Sequence, residues 1–333
     1  MSFDHLLRLS EGGGLFEHAR FTEPRTEHGS CVDDLARGLV VLAREPSPPR
    51  QLRGLAAGYL RLVTDAQSDD GRFHNRLDPS GRWTDQPSVE DCWGRALWGL
   101  GTLAARWDDR AAARVALSHF QRGARHRSPH LRAEVFAALG AAEVLARWPS
   151  HRSARALLSD AAERLVGLLA DPDWPWPEPR LRYANASLPE VLVAAGSLLA
   201  DDRLLGCGLR MLEWLLDVET TGDRLSVTPV AGWAPGEARP GFDQQPIEVA
   251  ALADACGRAL EVTGDRRWAT GLERCRAWFL GANDIGVMLL DVSSGGGCDG
   301  LGRHGRNENQ GAESTLALIS TLQRSAAMTA PQT

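Results

Sequence analysis

Short clusters of carboxylates, carboxamides, histidines and tryptophans recur in this sequence, each just ahead of a stretch with helical periodicity. They read EHGSCVDDLAR (27–37), SVEDCWGR (88–95), RYANASLPE (182–190), FDQQPIE (242–248) and NENQGAES (307–314). Asn, Gln, Asp, Arg and His hydrogen-bond in pairs to vicinal hydroxyls, and tryptophan faces stack on the apolar faces of sugar rings. A carbohydrate is the ligand such a wall suits. Glycosidic cleavage also gives several acids a use, because it needs a proton donor and a second carboxylate as base or nucleophile. The carboxylates at the junctions are Asp33, Asp34, Glu90, Asp91, Asp243, Glu248, Glu308 and Glu313. The catalytic candidates are Asp34 with Glu90 or Asp91 on one side, and Asp243 with Glu308 opposite. The donor has to be kept protonated by burial or by a neighbouring carboxylate. A wide separation with room for a water favours inversion.

The expected sugar-binding set comprises His28, Asp33, Arg37, His74, Trp93, Arg95, Tyr183, Asn185, Trp233, Gln244, Gln245, Asn307, Asn309, Gln310 and Glu313, with Trp83, Trp174 and Trp176 in or beside the same loops. Arg37 and Arg95 each follow an acid pair on one helix and either orient or neutralise it. The competing explanation for single residues such as Asp33, Ser88 and Asp243 is helix N-capping. Capping does not call for doubled acids, nor for three carboxamides and a carboxylate in the four positions of NENQ.

The elements that hold these clusters are helices. Over 333 residues, 43% hydrophobic and 24% charged, Ala, Leu and Arg dominate the periodic stretches and strand-like alternation is nearly absent. The stretches pair as 32–44 with 50–67, 90–106 with 109–124, 131–147 with 151–170, 188–200 with 202–219, and 246–263 with 265–280. The last, 311–325, needs 3–10 to complete the set. Turns within pairs are short and carry breakers, whereas loops between pairs, all but 125–130, are long and rich in Gly, Pro, Trp and charge. Short turns make antiparallel hairpins. Long loops that all fall between hairpins emerge at one end, which predicts an all-α, closed (α/α)6 toroid over an open solenoid of uniform repeats. First helices such as 92–105 and 247–260 are apolar nearly all round and so belong to a buried inner ring. One domain over 1–333 is expected, with its core at 11–325 and a disordered tail at 326–333.

The formal net charge of −6 argues against a nucleic-acid partner. All 37 basic residues are arginine, which excludes a lysine Schiff base and a Walker P-loop. Six cysteines without a CxxC pair read as buried small hydrophobes. No HExxH is present, and Pro129 spoils the helical spacing of His126 and His130. No metal and no cofactor are expected, although carboxylate-rich loops are able to hold Ca²⁺. GGGCDG (295–300) matches GxGxxG in form and follows the strand-like 287–292, but no helix opens at its end; it reads as a flexible loop. The absence of a signal-like opening and of any long apolar run leads to the expectation of a cytoplasmic protein with no membrane partner.

The series EHGSCVDDLARGL, GRFHNRL, SVEDCWGRALWGLG, RYANASLPEVLVAAG, FDQQPIEVAALADAC and NENQGAESTLAL is similar to a bacterial helical-toroid family of six-hairpin glycosidase type. The resemblance covers about 11–320. Similar segments form the C-terminal part of chains that carry a family-four glycosyltransferase domain, which implies a glycosyltransferase partner. Six-hairpin toroids also host epimerases, lyases and phosphorylases, so the resemblance is specific for fold and less so for reaction. Glycoside hydrolysis is the favoured activity. The alternatives are a non-catalytic glycan-binding module that presents acceptor to a transferase, and a sugar epimerase using His28, His74 or His304 as acid and base. A lyase is disfavoured because Tyr183 is the one tyrosine near the clusters.

Overall fold

The computed structural model describes residues 1–329. Among them lie twelve α-helices: α1 (Asp4–Leu9), α2 (Val32–Arg44), α3 (Arg50–Asp65), α4 (Asp91–Arg106), α5 (Arg110–Gly123), α6 (Leu131–Arg147), α7 (Arg152–Gly167), α8 (Ser187–Leu199), α9 (Asp202–Val218), α10 (Pro246–Thr263), α11 (Arg266–Phe279) and α12 (Ala312–Thr329). The expected helices are present with ends shifted by a few residues, and α2 packs on α3, α4 on α5, α8 on α9 and α10 on α11. Helix α12 continues into the stretch expected as a disordered tail, because Arg324 and Ser325 are buried and carry the helix past the core; residues 330–333 lie outside the described residues. No helix among the described residues is long and apolar enough to cross a membrane.

Two kinds of helix alternate. Helices α4, α6, α8 and α10 are buried along nearly their whole length, as their Ala- and Gly-rich sequences predict. By contrast, α3 buries Leu52, Ala56, Tyr59, Leu60, Leu62 and Val63, and α9 buries Leu204, Gly208, Met211, Leu212 and Leu215, a single stripe at helical spacing. The short turns supply caps for the second helices: the side chains of Asp109, Asp201 and Asp265 accept backbone amides at the starts of α5, α9 and α11.

The described residues form two compact units. Leu6–Ala19 and Glu23–Ala161 make the first; Met1–His5, Arg20–Thr22 and the chain from Ala162 onward make the second. In the first unit α4 packs between α2 and α6, with α3 on α2 and α5 on α4. Backbones touch at the α4–α6 crossing: a Cβ at Gly101 would stand 2.4 Å from the Gly140 carbonyl oxygen. In the second unit α10 packs between α8 and α12, with α9 on α8 and α11 on α10.

Short antiparallel ladders order the long loops. In the first unit Ser30–Cys31 pairs with Arg76–Leu77. In the second, Thr220–Thr221 pairs with Arg224–Leu225, and Gly300–Gly302 with Gly305–Asn307. The strand-like run 287–292 forms no strand and contributes one isolated bridge, Leu290 to Gly297. GGGCDG is a packed turn rather than a flexible loop. Gly296, Gly297 and Cys298 are buried, and a Cβ at Gly297 would lie 2.4 Å from the Ser314 carbonyl oxygen on α12.

Candidate functional site

The junctions ahead of the buried helices are not capped by their own side chains. The residues at the N-cap positions of α2, α4, α6, α8 and α10 (Cys31, Glu90, His130, Ala186 and Gln245) make no side-chain capping bond. An N-cap residue's own side chain does the capping at Asp109, Asp201 and Asp265, in the short turns within pairs. The polar side chains at the junctions are therefore deployed in other ways, and those ways differ between the two units.

In the first unit the start of α2 is satisfied from another loop. Asn75 Oδ1 accepts the amides of Val32 (3.1 Å) and Asp33 (3.3 Å), and its Nδ2 donates to Asp33 Oδ2 at 3.1 Å. Asp85 holds Asn75 in turn, accepting the amides of Asn75 (2.7 Å) and Arg76 (3.0 Å). His74 Nδ1 lies 2.7 Å from the Asp85 carbonyl oxygen, so it carries the proton and leaves Nε2 as the basic nitrogen. Asn75 and Asp85 were missed from sequence, although Asn75 sits in the GRFHNRL segment.

Asp34 is buried, takes the Arg37 guanidinium and receives the Cys31 thiol at 3.2 Å. This corrects the expectation that Asp34 presents a carboxylate to a ligand: its charge is spent inside. Glu17, Cys31 and Asp34 bring possible metal-ligating atoms within 4.8 Å of one another. Guanidinium groups already occupy both carboxylates, Arg76 on Glu17 and Arg37 on Asp34. Burial, and then Asp34 and Asp33, push the Cys31 thiol well up, so it stays a neutral donor. Glu90 is exposed and Asp91 half-buried at the start of α4. Trp93 is fully buried with Nε1 donating to the Gly123 carbonyl at 3.1 Å, which removes it as a stacking platform. Arg95 is likewise internal, its guanidinium 3.8 Å from the Phe136 ring centroid. His28 is exposed and edge-on to His18.

The second unit gathers more of the expected set. Two cavities adjoin there, sharing Val230 and Gln245 in their walls. The larger, about 590 Å³, is lined by Asp243, Gln244, Gln245, Asp299, Arg303, His304, Arg306 and Asn307 among others. The smaller, about 440 Å³, is lined by Arg180, Arg182, Tyr183, Gln245 and Glu248 with the 228–232 backbone. Backbone bonds from Gln244 N to Leu301 O (3.0 Å) and Leu301 N to Gln244 O (2.9 Å) fasten the 243–245 segment to the 300–307 hairpin. Gly302 leaves space there; a Cβ would sit 3.4 Å from Asp243 Oδ1.

Several residues of the expected set in this unit are bonded inside the walls. Gln244 is fully buried: its Nε2 donates to Asp284 Oδ2 (2.6 Å) and its Oε1 accepts Trp278 Nε1 (3.0 Å). Asn185 is fully buried and donates to Glu248 Oε2 at 3.0 Å. Glu248 also accepts the amides of Ala184 and Asn185, and so fixes the loop bearing Arg182 and Tyr183. Gln310 is buried between Asp291 and Ser294. Asn309 accepts the Phe21 amide at 2.9 Å, and Glu313 is half-buried in the first turn of α12. Glu308 is exposed and takes the Arg306 guanidinium. Trp174 and Trp176 are buried beside Trp214, and half-buried Trp233 packs on Trp174, with ring centroids 5.5 Å apart. These tryptophans form an internal cluster.

Of the predicted residues, Asp243, Gln244, Gln245 and Asn307 share the larger cavity, and Tyr183 lines the smaller. Asp299, Arg303 and Arg306 were missed. Asp299 lies in the GGGCDG turn, where glycine spacing drew attention away from the acid; its Oδ1 accepts the Gly311 amide at 2.8 Å.

No protein-family model matches the sequence, and no curated protein matches it; the likeness to known proteins is one of fold. A sugar epimerase from a ruminal bacterium matches with a TM-score of 0.76 and 12% identity, covering 98% of this chain and 95% of that one. A D-mannose isomerase matches at 0.73 and 10%, covering 98% and 95%. A GH76 α-mannanase from Bacteroides thetaiotaomicron matches at 0.65 and 10%, covering 98% and 92%. The chain has the all-α (α/α)6 toroid fold of these six-hairpin proteins.

Proposed function

We propose that the protein is a carbohydrate-active enzyme whose sugar site is the pair of adjoining cavities joined at Gln245, and that it hydrolyses a glycosidic bond. The observation that carries this reading is that two carboxylates, Asp243 and Asp299, line one cavity together with Gln245, Asn307 and two arginines. Donors and acceptors of that mixture suit vicinal hydroxyls, and a carboxylate pair is what acetal cleavage needs. In this reading Asp243 is one carboxylate of the pair and Asp299, rather than the expected Glu308, is the other. Inversion, the outcome expected from sequence, requires these two carboxyl groups to stand about 6.5–9.5 Å apart with a water between them. The fold neighbours that act on carbohydrates, a mannanase among them, support the substrate class.

Epimerisation is the second reading, and one observation favours it: His304 lines the same cavity, so an acid–base imidazole stands beside the carboxylates. One assay separates the readings. Neutral oligosaccharides are incubated in D2O and followed by NMR. New reducing ends indicate hydrolysis, and deuterium at a sugar carbon with a changed configuration indicates epimerisation. Asp243→Asn and Asp299→Asn are each expected to lower turnover by about 10²-fold or more with binding kept. Saccharide binding without turnover would replace both readings with that of a binding module for a glycosyltransferase partner, and no saccharide binding at all would overturn the carbohydrate assignment.

A further inference from the structure

The first unit holds a cleft of about 600 Å³ lined by Trp83, one of the tryptophans expected beside the sugar loops, together with Gly13, Phe16, Arg61, Asp78 and Gly81 among others. Four observations give its chemistry. The Trp83 ring is stacked against His74, with centroids 5.5 Å apart and planes 16° from parallel. His74 is itself bonded through Nδ1 to the Asp85 carbonyl, so the indole rests on an anchored ring, and Trp83 lines the cleft. Gly13 and Gly81 present bare backbone, with nothing within 4 Å of where a side chain would stand. The charges around the cleft are already matched: Arg61 pairs with Asp65 at 3.5 Å, and Asp78 is engaged by Ser80 and Arg82 within its own turn.

A fixed aromatic face, a second ring at Phe16, accessible backbone and no charge left over suit a neutral ring with an apolar face and a polar edge. We propose that this cleft binds a pyranose unit of a neutral saccharide, stacked on Trp83. The inference rests on the reading that the protein acts on carbohydrate, and assigns to the first unit a saccharide subsite separate from the cavities of the second. Its energy comes from burying the sugar's CH face against the indole, and the stacking of that ring on His74 lowers the ordering cost of binding.

Titration calorimetry with cellohexaose and with mannohexaose tests it, alongside the Trp83 indole N–H resonance in ¹⁵N-labelled protein, identified by its loss in Trp83→Phe. At least one hexasaccharide is expected to shift that resonance, and Trp83→Ala to weaken its binding by about tenfold with thermal unfolding unchanged. Trp83→Phe, which keeps an aromatic face, is expected to retain most of the affinity. An unshifted resonance in wild-type protein that binds the saccharide overturns this subsite alone, even where Trp83→Ala does not fold. Wild-type affinity in Trp83→Ala does the same and leaves the carbohydrate reading standing. Failure of both sugars to bind wild-type protein overturns the subsite, whereas turnover of another glycan in the D2O assay would still uphold the enzymatic reading.

Discussion

Replacing Glu248 by alanine tests how the second unit shapes its smaller cavity. Glu248 is 3% exposed, and its carboxylate accepts the Ala184 amide, the Asn185 amide at 3.2 Å and Asn185 Nδ2 at 3.0 Å. A hydrogen bond to a charged group contributes about 1.5–3 kcal/mol net, and a buried donor left without an acceptor costs about 1–3 kcal/mol. Removing a buried carboxylate also recovers its desolvation cost, which offsets part of the loss. The balance for Glu248→Ala is a destabilisation of about 3 kcal/mol, roughly a hundredfold in the folding equilibrium. Glu248→Gln keeps one acceptor oxygen but turns an NH2 group toward donors, so about half that loss is expected. Denaturant unfolding followed by tryptophan fluorescence reads the global effect, and hydrogen exchange at the Ala184 and Asn185 amides reads the local one. Exchange there should rise steeply, and saccharide affinity should fall with it because Arg182 and Tyr183 lose their anchor. Unchanged protection at both amides, together with an unfolding midpoint within about 0.5 kcal/mol of wild type, would refute the reasoning.

Three further outcomes follow from the same geometry. Gly140→Ala, which would bring a Cβ within 2.2 Å of the Leu97 carbonyl oxygen, should force α4 and α6 apart and cost about 1–3 kcal/mol in thermal unfolding; an unchanged Tm would contradict the close crossing. Burial raises the Cys92 and Cys256 thiols to about 12 and Cys298 to about 11, so at pH 8 half-buried Cys207 should react first with an aromatic disulfide reagent, and all six thiols only after denaturation. Burial lowers the values of His119 and His151 below the ordinary 6.5. The unfolded chain therefore takes up protons first as pH falls, so their contribution is fully present above about 6.5 and is lost as pH drops through 6.5 toward the folded values. His119→Asn should flatten stability across that window, and a profile as steep as wild type would count against it.

How much was legible in the sequence follows the range of the forces involved. Helix positions, their pairing and the contrast between all-round apolar and single-stripe helices were readable because periodicity and turn breakers act within a few residues. The residues of the larger cavity were half legible: Asp243, Gln245 and Asn307 stood out as members of polar clusters richer than capping requires, but Asp299 was hidden in a glycine turn whose close packing on α12 no local pattern reveals. Sequence could not distinguish a polar side chain facing a cavity from one bonded inside a wall. Gln244 and Gln245 are adjacent and identical, yet the first is fully buried against Trp278 and Asp284 while the second lines both cavities. Likewise the first two amides of α2, at Val32 and Asp33, are satisfied by Asn75, more than forty residues away. Such partners are set by long-range packing of loops on a helical frame. The sequence determined the frame; only the tertiary structure decided which polar groups it consumed and which it left open to a ligand.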